Sequence, residues 1–370
     1  MRTLVEQFAA LPDPRVDRTK RHQLIDIVVM AICAVICGAE GWEDIEMFAE
    51  VHQAWFETFL ELPNGIPSHD TFRRVFARLE PEEFGGRFLA WVQEVTSVTQ
   101  GQVVAIDGKT LRRSHDRAGG KAAIHMVSAW ASETRMVLGQ VKTDAKSNEI
   151  TAIPELLHVL ELTGCIVTID AMGCQRDIAT TIVDQGADYV LALKGNQGTL
   201  HTDVQLFFET VQATGFKAVP HTFHHTVDGK HGRIETRRCW ATSDIAWLDP
   251  EGRWPGLTSI AMLEATRELG AHTTTDVRFF ITTLPPEAQT ILHAVRSHWT
   301  IENSLHWVLD IAFREDDSRI RKGHAPQNFA VLRHIALNLL KQDTTLQRGL
   351  KSKRLKAGWD HDYLLHLLRG

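Results

Sequence analysis

The segment Gln102-Val-Val-Ala-Ile-Asp107-Gly-Lys-Thr-Leu-Arg-Arg113 is the strongest indication of the fold of this chain. An apolar, β-favouring run leads directly into an aspartate, which predicts a buried strand with a carboxylate at its carboxyl end. That end of a strand is where open α/β sheets bind ligands. Taken alone, the motif fits equally well a strand that ends in a solvated turn.

A second copy of the same arrangement favours a binding site over a turn. In Cys165-Ile-Val-Thr-Ile-Asp170-Ala-Met-Gly, another β-branched run ends in an aspartate. Two such strands would bring two carboxylates to one edge of a sheet. Lysine and arginine residues beside Asp107 suit a substrate that carries phosphate.

The surrounding pattern predicts the order β-β-β-α-β-α-β, which is that of the ribonuclease-H-like fold. The predicted strands are Val103–Ile106, Ile124–Trp130, Met136–Val141, Cys165–Ile169 and Asp188–Leu193. The predicted helices are Glu149–Leu162 and Gln175–Gln185, and further helices cover Glu287–Phe313 and Pro326–Lys341.

Four regions follow from this pattern. Residues 1–100 read as an all-helical N-terminal domain, with helices at Leu24–Cys37, Trp42–Leu60, Phe84–Val95 and one capped by Ser68. Residues 101–199 and 286–345 form the predicted α/β core. Residues 200–285 read as a β-rich insertion with strands at Val227–Trp240, Gly256–Glu264 and Asp276–Thr283, and residues 346–370 as a basic C-terminal segment.

Composition places the chain among ordinary globular proteins, with 44% hydrophobic and 23% charged residues. No stretch reaches the roughly 18 apolar residues of a membrane span, and no signal peptide is recognisable at the start. The five cysteines lack metal-ligand spacing, which predicts reduced thiols and a cytoplasmic location. A net charge of −6 argues against non-specific coating of nucleic acid, while local basic clusters remain compatible with DNA binding.

The helix predicted over Glu287–Phe313 carries an unusual polar row. Four side chains stand four residues apart on one side of it: His298, Glu302, His306 and Asp310. A tryptophan-rich helix packed on its neighbours would also produce this pattern. Together with the two aspartates, however, Glu302 supplies a third carboxylate.

Three carboxylates suit phosphodiester chemistry by two metal ions. Such ions lower the pKa of the nucleophilic oxygen and neutralise the charge that develops on phosphate. Mg²⁺ or Mn²⁺ prefers oxygen ligands, so Asp107 would bridge two ions while Asp170 and Glu302 each complete one site. The candidate phosphate-binding residues are Lys109, Arg112, Arg113, Lys194, Arg296 and His298.

At these residues the chain resembles the DDE transposases of bacterial insertion sequences, and most closely the H-repeat-associated (ISAs-type) transposase family. The matching stretches run in order along nearly the whole chain and include Leu62-Pro-Asn-Gly-Ile-Pro-Ser-His-Asp-Thr71, Ala105-Ile-Asp-Gly-Lys-Thr110, Thr168-Ile-Asp-Ala-Met-Gly-Cys-Gln175, Ala192-Leu-Lys-Gly-Asn-Gln197, His231-Gly-Arg-Ile-Glu235 and His298-Trp-Thr-Ile-Glu-Asn303.

The resemblance implies that Asp107, Asp170 and Glu302 are the catalytic DDE triad. It also implies a β-strand insertion before the glutamate helix, double-stranded DNA (terminal inverted repeats and target) as partner, and a homodimer on paired ends. One departure stands out. Where many related transposases carry tyrosine, arginine and lysine around the glutamate, this chain has Val295, His298 and Leu309, so the sequence leaves a DNA hairpin intermediate open.

Recognition of the element ends is predicted for the helical N-terminal region. Arg73, Arg74 and Arg78 on one helix are candidate DNA contacts, although the same helix could simply pack on the core. Other interpretations are a metal-dependent nuclease or resolvase without a joining step, and a transposon-derived DNA-binding protein that has lost catalysis. A zinc site is a weaker alternative, built on His221, His224, His225 and His231.

Overall fold

Nine strands are hydrogen-bonded into one mixed sheet in the computed structural model, which describes residues 2–96, 100–115, 122–143, 149–230 and 232–369. The strands are β1 (Val103–Leu111), β2 (Ile124–Ala131), β3 (Met136–Lys142), β4 (Ile166–Ile169), β5 (Asp188–Leu193), β6 (Thr222–Lys230), β7 (Arg233–Thr242), β8 (Ser259–Leu269) and β9 (His272–Thr282). Their order across the sheet is β3-β2-β1-β4-β5-β9-β8-β7-β6.

Helices surround this sheet and make up most of the amino-terminal third. They are α1 (Arg2–Ala9), α2 (Leu24–Cys37), α3 (Trp42–Val51), α4 (Gln53–Phe56), α5 (His69–Phe76), α6 (Pro81–Val95), α7 (Glu149–Val159), α8 (Arg176–Asp184), α9 (Thr199–Ala213), α10 (Ala288–His298), α11 (Trp307–Phe313), α12 (Ala325–Gln342), α13 (Leu350–Trp359) and α14 (His361–Arg369). A π-helical turn, Glu302–His306, lies between α10 and α11.

Strand β1 extends further than its sequence predicts. It pairs in parallel with β4 only as far as Ile106, opposite Ile169, but its antiparallel pairing with β2 continues to Leu111. The prediction that Asp107 ends its strand is therefore wrong, because β2 offers hydrogen-bond partners to the residues beyond it. Asp107 instead marks the end of the parallel pairing, while Asp170 does follow the end of β4.

The region predicted as a β-rich insertion begins with the helix α9 and continues the central sheet. The stretch predicted as one strand, Val227–Trp240, is part of a hairpin formed by β6 and β7. Strand β9 then returns antiparallel to β5, from Val190 opposite Thr282 to Leu193 opposite Phe279. Main-chain hydrogen bonds therefore join the four added strands to the predicted core.

The amino-terminal helices pack on the rest of the chain through the apolar helix α2. It contacts α12 and α13, and its Asp26 carboxylate accepts the Leu62 amide at 3.2 Å. The single helix predicted from Trp42 to Leu60 is interrupted between α3 and α4. Ser68 precedes α5 as predicted, but its hydroxyl makes no capping bond to the helix backbone.

The basic C-terminal segment is not a freely solvated charge run. Lys353 and Arg354 are buried. Lys353 Nζ donates to the Leu340 carbonyl at 2.9 Å, and Arg354 donates to the Val35 carbonyl at 2.9 Å. These carbonyls lie in the last turns of α12 and α2, where a helix leaves carbonyl groups without internal partners and favours positive charge.

Within the described ranges the five cysteines are free, as predicted, and four of them are buried. Burial raises the pKa of each thiol, which suits a structural role. Among the helices that the structure describes, none is by itself both long and apolar enough to cross a membrane. Helices α2 and α3 reach the required length and hydropathy only jointly, with a 96° bend between them.

Candidate active site

The register of the parallel strands places the two predicted aspartates side by side. Ile106 pairs with Ile169, so Asp107 and Asp170 occupy the next position on neighbouring strands. Both project to the face of Thr168, since side chains alternate along a strand. Thr168 Oγ1 lies 3.1 Å from His298 Nδ1, so this is the sheet face that α10 covers.

The third carboxylate, that of Glu302, lies on the π-helical turn. One ligand atom each of Asp107, Glu302 and His306 lies within 4.8 Å of the other two. The His306 Nδ1 atom is 3.6 Å from a carboxylate oxygen of Asp107 and 3.6 Å from one of Glu302. π-Helical turns are found frequently at functional sites. His306 was visible in the polar row, but sequence reasoning did not assign it to the site.

Negative charge at this cluster is not balanced. Burial, followed by the neighbouring Glu302 carboxylate, raises the pKa of Asp107 to about 8, although the Gly108 amide donates to its Oδ1 at 2.9 Å. Burial also lowers the pKa of His306, despite the nearby Glu302. A divalent cation would remove both penalties, because it favours the ionised carboxylate and the neutral imidazole.

Asp170 lies in the same cavity but outside that three-residue cluster. Its Oδ1 accepts the Met172 amide at 3.0 Å and the Gly173 amide at 3.3 Å, which fixes the carboxylate at the end of β4. A Cβ on Gly173 would meet the Ile169 side chain at 2.3 Å. This close approach explains the glycine in the Asp170-Ala-Met-Gly motif.

The cavity that joins these groups has a volume of about 390 Å³. It is lined by all three predicted acids, by Lys194 after β5, and by Arg278 and Trp299, whose guanidinium and ring are 4.9 Å apart. Asn196 ties the Lys194 loop to the Asp170 loop, donating to the Ala171 carbonyl at 2.7 Å. The Lys-Gly-Asn-Gln motif thus joins two of the loops around the cavity.

The predicted phosphate-binding residues have different surroundings. Lys194 and His298 line the cavity, Lys194 exposed and His298 largely buried. Arg112 and Arg113 lie on the surface, paired with Asp316 at 3.1 Å and Asp317 at 3.2 Å. Arg296 pairs with Asp228 at 2.9 Å, outside the cavity.

Lys109 is not available to a substrate. Its Nζ donates to Asp310 and, at 2.9 Å, to the buried Glu315. Burial by itself would lower the pKa of Lys109, but Glu315 and Asp310 raise it above its ordinary value. The structure therefore favours a structural role over the predicted phosphate contact, because the Lys109 ammonium group is held by Asp310 of the polar row and by Glu315, which the sequence did not point to.

The glycine after Asp107 is also explained by packing. A Cβ at Gly108 would meet the Glu149 carboxylate at 2.1 Å and the His125 ring at 2.4 Å. His125 Nε2 lies 2.6 Å from Glu149 Oε1. Gly108 therefore leaves room for this ion-paired contact beside the site.

The structure does not support the zinc alternative in its described residues. His224 and His225 are neighbours on β6 and point to opposite faces of the sheet. His221 Nδ1 contacts the Val219 carbonyl at 3.0 Å, and His231 lies outside the described residues. The candidate end-recognition residues Arg73, Arg74 and Arg78 are exposed, the first two paired with Asp70.

Comparison with known proteins places this chain in a family. Residues 99–339 match the Transposase DDE domain, and residues 5–92 match the domain described as DDE_Tnp_1-associated. YhhI of Escherichia coli K12, named as an H repeat-associated, suspected transposase, is 41% identical over 100% of this chain and 98% of its own length. YncI of Escherichia coli O157:H7, also named as a suspected transposase, is 41% identical over 100% of this chain and 95% of its own length.

Two further matches are more limited. YbfQ of Escherichia coli K12, named an inactive transposase, is 45% identical over 21% of this chain. A solved piggyBac transposase synaptic complex with hairpin DNA aligns at 10% identity with a TM-score of 0.44. The matches over the whole chain settle its family: the chain belongs to the DDE transposases, among the H repeat-associated proteins.

Proposed function

We propose that this protein is a DNA transposase that cleaves strands at the terminal inverted repeats of its element and joins them to target DNA. The observation that carries the proposal is the meeting of three carboxylates in one cavity, with Asp107 and Asp170 in register on neighbouring strands and Glu302 facing them. We further propose that residues 101–199 and 286–345, which contain strands β1 to β5 and helices α7, α8 and α10 to α12, form a ribonuclease-H-like core.

The donor set fits divalent cations. Asp107 and Glu302 offer oxygen atoms, and their charges have no cation among the described neighbours. His306 adds a nitrogen donor, which Mn²⁺ accepts more readily than Mg²⁺. Asp107, Glu302 and His306 would hold one ion, and Asp170 would contribute to a second.

Such ions would make the attacking hydroxyl more acidic and neutralise charge on the scissile phosphate. The chain itself supplies the orientation. The hydrogen bonds of Asp170 to the backbone hold its carboxylate towards the cavity, and His298 is fixed against Thr168. The exposed Lys194 at the cavity is free of ion pairs within the described chain and suits a flanking phosphate.

The proposal is tested by incubating the protein with Mn²⁺ or Mg²⁺ and a DNA carrying candidate terminal repeats beside a target plasmid. Joined products support a transposase, whereas cuts without joining indicate a nuclease or resolvase. Binding without either product indicates a catalytically silent DNA-binding protein.

The triad is tested in the same assay. We expect Asp107→Asn, Asp170→Asn and Glu302→Gln each to abolish cleavage while DNA binding persists. Glu264→Gln serves as the control, since Glu264 on β8 lies outside the cavity and is paired with Arg238. Cleavage at the wild-type rate by any of the three variants would remove that residue from the triad.

A further inference from the structure

The added strands β6 to β9 have two chemically different faces. Their registers pair Arg238 with Glu264 and Val277 with Glu264, so these three share one face. Arg237 pairs with Ala265, and Ala265 with Asp276, so these lie on the other face. The ion pairs agree with this assignment, because Arg238 contacts Glu264 while Arg237 contacts Asp228.

Arginine residues are concentrated on the face that α10 covers. Together they form what we call the arginine surface: Arg233, Arg237, Arg267 and Arg278 on the strands, and Arg296 on α10. The described acidic side chains on this face are Asp228, Glu235 and Asp276. Five arginines against three carboxylates leave an excess of two positive charges. The opposite face of the strands carries Arg238 with Glu264 and Glu268, an excess of one negative charge.

The arrangement of these arginines suits contact with a polyanion. Arg233, Arg278 and Arg296 remain 43%, 38% and 43% exposed despite their acidic partners. Exposed ion pairs of this kind contribute only about 0–1 kcal/mol, so phosphate groups can replace or share the carboxylates. The side chain of Arg267 is exposed and has no ion pair or hydrogen bond in the part of the chain that the structure describes.

The arginine surface is continuous with the candidate active site. Arg278 and Asp276 line the cavity that contains Asp107, Asp170 and Glu302, and the Arg278 guanidinium stacks over Trp299. Strand β9 pairs with β5 only from Phe279 onward, so the preceding residues His272–Arg278 extend beyond the core by roughly 23 Å. That length corresponds to about seven base pairs of duplex.

We propose that the arginine surface binds the phosphate backbone of duplex DNA and guides it into the cavity. This inference rests on the proposed function and adds the path of the DNA to it. The binding should be independent of DNA sequence, because arginine–phosphate contacts position a duplex without reading its bases.

The test compares arginines on opposite faces of the same strands. Binding of a fluorescent duplex lacking the repeats is measured by anisotropy between about 50 and 200 mM salt for the wild type, Arg267→Ala, Arg233→Ala/Arg267→Ala and the control Arg238→Ala. Arg267→Ala and Arg238→Ala change the net charge equally, so a difference between their slopes cannot come from net charge. Thermal unfolding of each variant establishes that it is folded.

We expect Arg267→Ala to reduce the magnitude of the slope of log K against log salt by about 0.9, and the double variant by about 1.8. Arg238→Ala is expected to keep the wild-type slope. In the cleavage assay, the double variant should require more DNA for half-maximal cleavage but reach the wild-type rate at saturation.

Equal slopes for Arg267→Ala and Arg238→Ala, with a wild type that binds and cleaves DNA, would overturn this inference and leave the proposed function standing. A wild type that neither binds nor cleaves DNA would overturn both. The two failures are therefore distinguishable in one set of measurements.

Discussion

Asp107 and Lys109 lie two residues apart on the same face of β1, yet their electrostatic surroundings are opposite. Around Asp107, carboxylates face each other with no lysine or arginine paired to them among the described residues, and the pKa of Asp107 is raised to about 8 by burial and by Glu302. Around Lys109, charges are matched by Asp310 and Glu315, and Glu315 is also paired with Arg333 at 3.5 Å.

The difference distinguishes the candidate active site around Asp107 from the structural charge network around Lys109. Burial alone would raise the pKa of Glu315, but Lys109 and Arg333 more than offset it and lower the pKa. A buried network of matched charges holds β1, α11 and α12 together, whereas unmatched carboxylates leave a place for an added cation.

Replacing the unmatched carboxylate should separate activity from stability. We expect Asp107→Asn to abolish detectable strand cleavage, a loss of at least roughly 1,000-fold, because removal of the proposed metal ligand would cost about 4 kcal/mol of transition-state stabilisation. The same substitution should stabilise the metal-free protein above pH 8. The folded pKa lies above the ordinary value, so the ionised Asp107 reduces stability as pH rises from about 4 to about 8. Product analysis and urea unfolding at pH 8.5 measure the two effects.

Replacing the matched cation should mainly affect folding. Lys109→Met leaves Asp310 and the buried Glu315 without their shared partner, and we expect a loss of about 3 kcal/mol in the free energy of unfolding. Arg112→Met is the matched control on the same chain segment. The Arg112 side chain is 78% exposed in its ion pair with Asp316. The expected loss in the free energy of unfolding is therefore below about 1 kcal/mol. Equal losses in the two variants would contradict the structural role of Lys109.

The structural charge network beside His334 should also contribute less to the free energy of unfolding in acid. Burial lowers the pKa of His334 to about 4. Between about pH 6.5 and 4 the unfolded chain takes up a proton that the folded chain does not, so stability falls as pH decreases through this window, by about 3 kcal/mol at its lower end. Urea unfolding at pH 7 and pH 5 should show a smaller pH dependence for His334→Gln than for the wild type. The exposed His158→Gln should match the wild type.

The smallest expected effect is stabilisation by metal. Mn²⁺ at about ten times its dissociation constant should raise the free energy of unfolding by about 1.4 kcal/mol, and chelation should reverse this. Asp107→Asn should abolish the response, whereas Arg112→Met should retain it. A response that persists in Asp107→Asn would place the bound ion elsewhere.

Much of the fold can be predicted from local sequence patterns. The apolar runs before Asp107 and Asp170 predict β1 and β4, and the structure contains both strands, as it does α2 and β5. Where pairing partners decide the outcome, local patterns fail. The extension of β1 to Leu111 depends on β2, and the joining of β9 to β5 depends on residues about 90 positions apart.

Local sequence patterns are sufficient to identify the family, the three candidate acids and the order of the core elements, because strand and helix periodicities are local properties of the chain. Which charged side chains are paired with an opposite charge depends on the tertiary structure. It paired Lys109 with Glu315, brought His306 beside Asp107 through a π-helical turn, and placed four of the five arginines of β7 to β9 on one face. Electrostatic roles depend on distances of a few ångströms between residues far apart in sequence, and only the folded chain sets those distances.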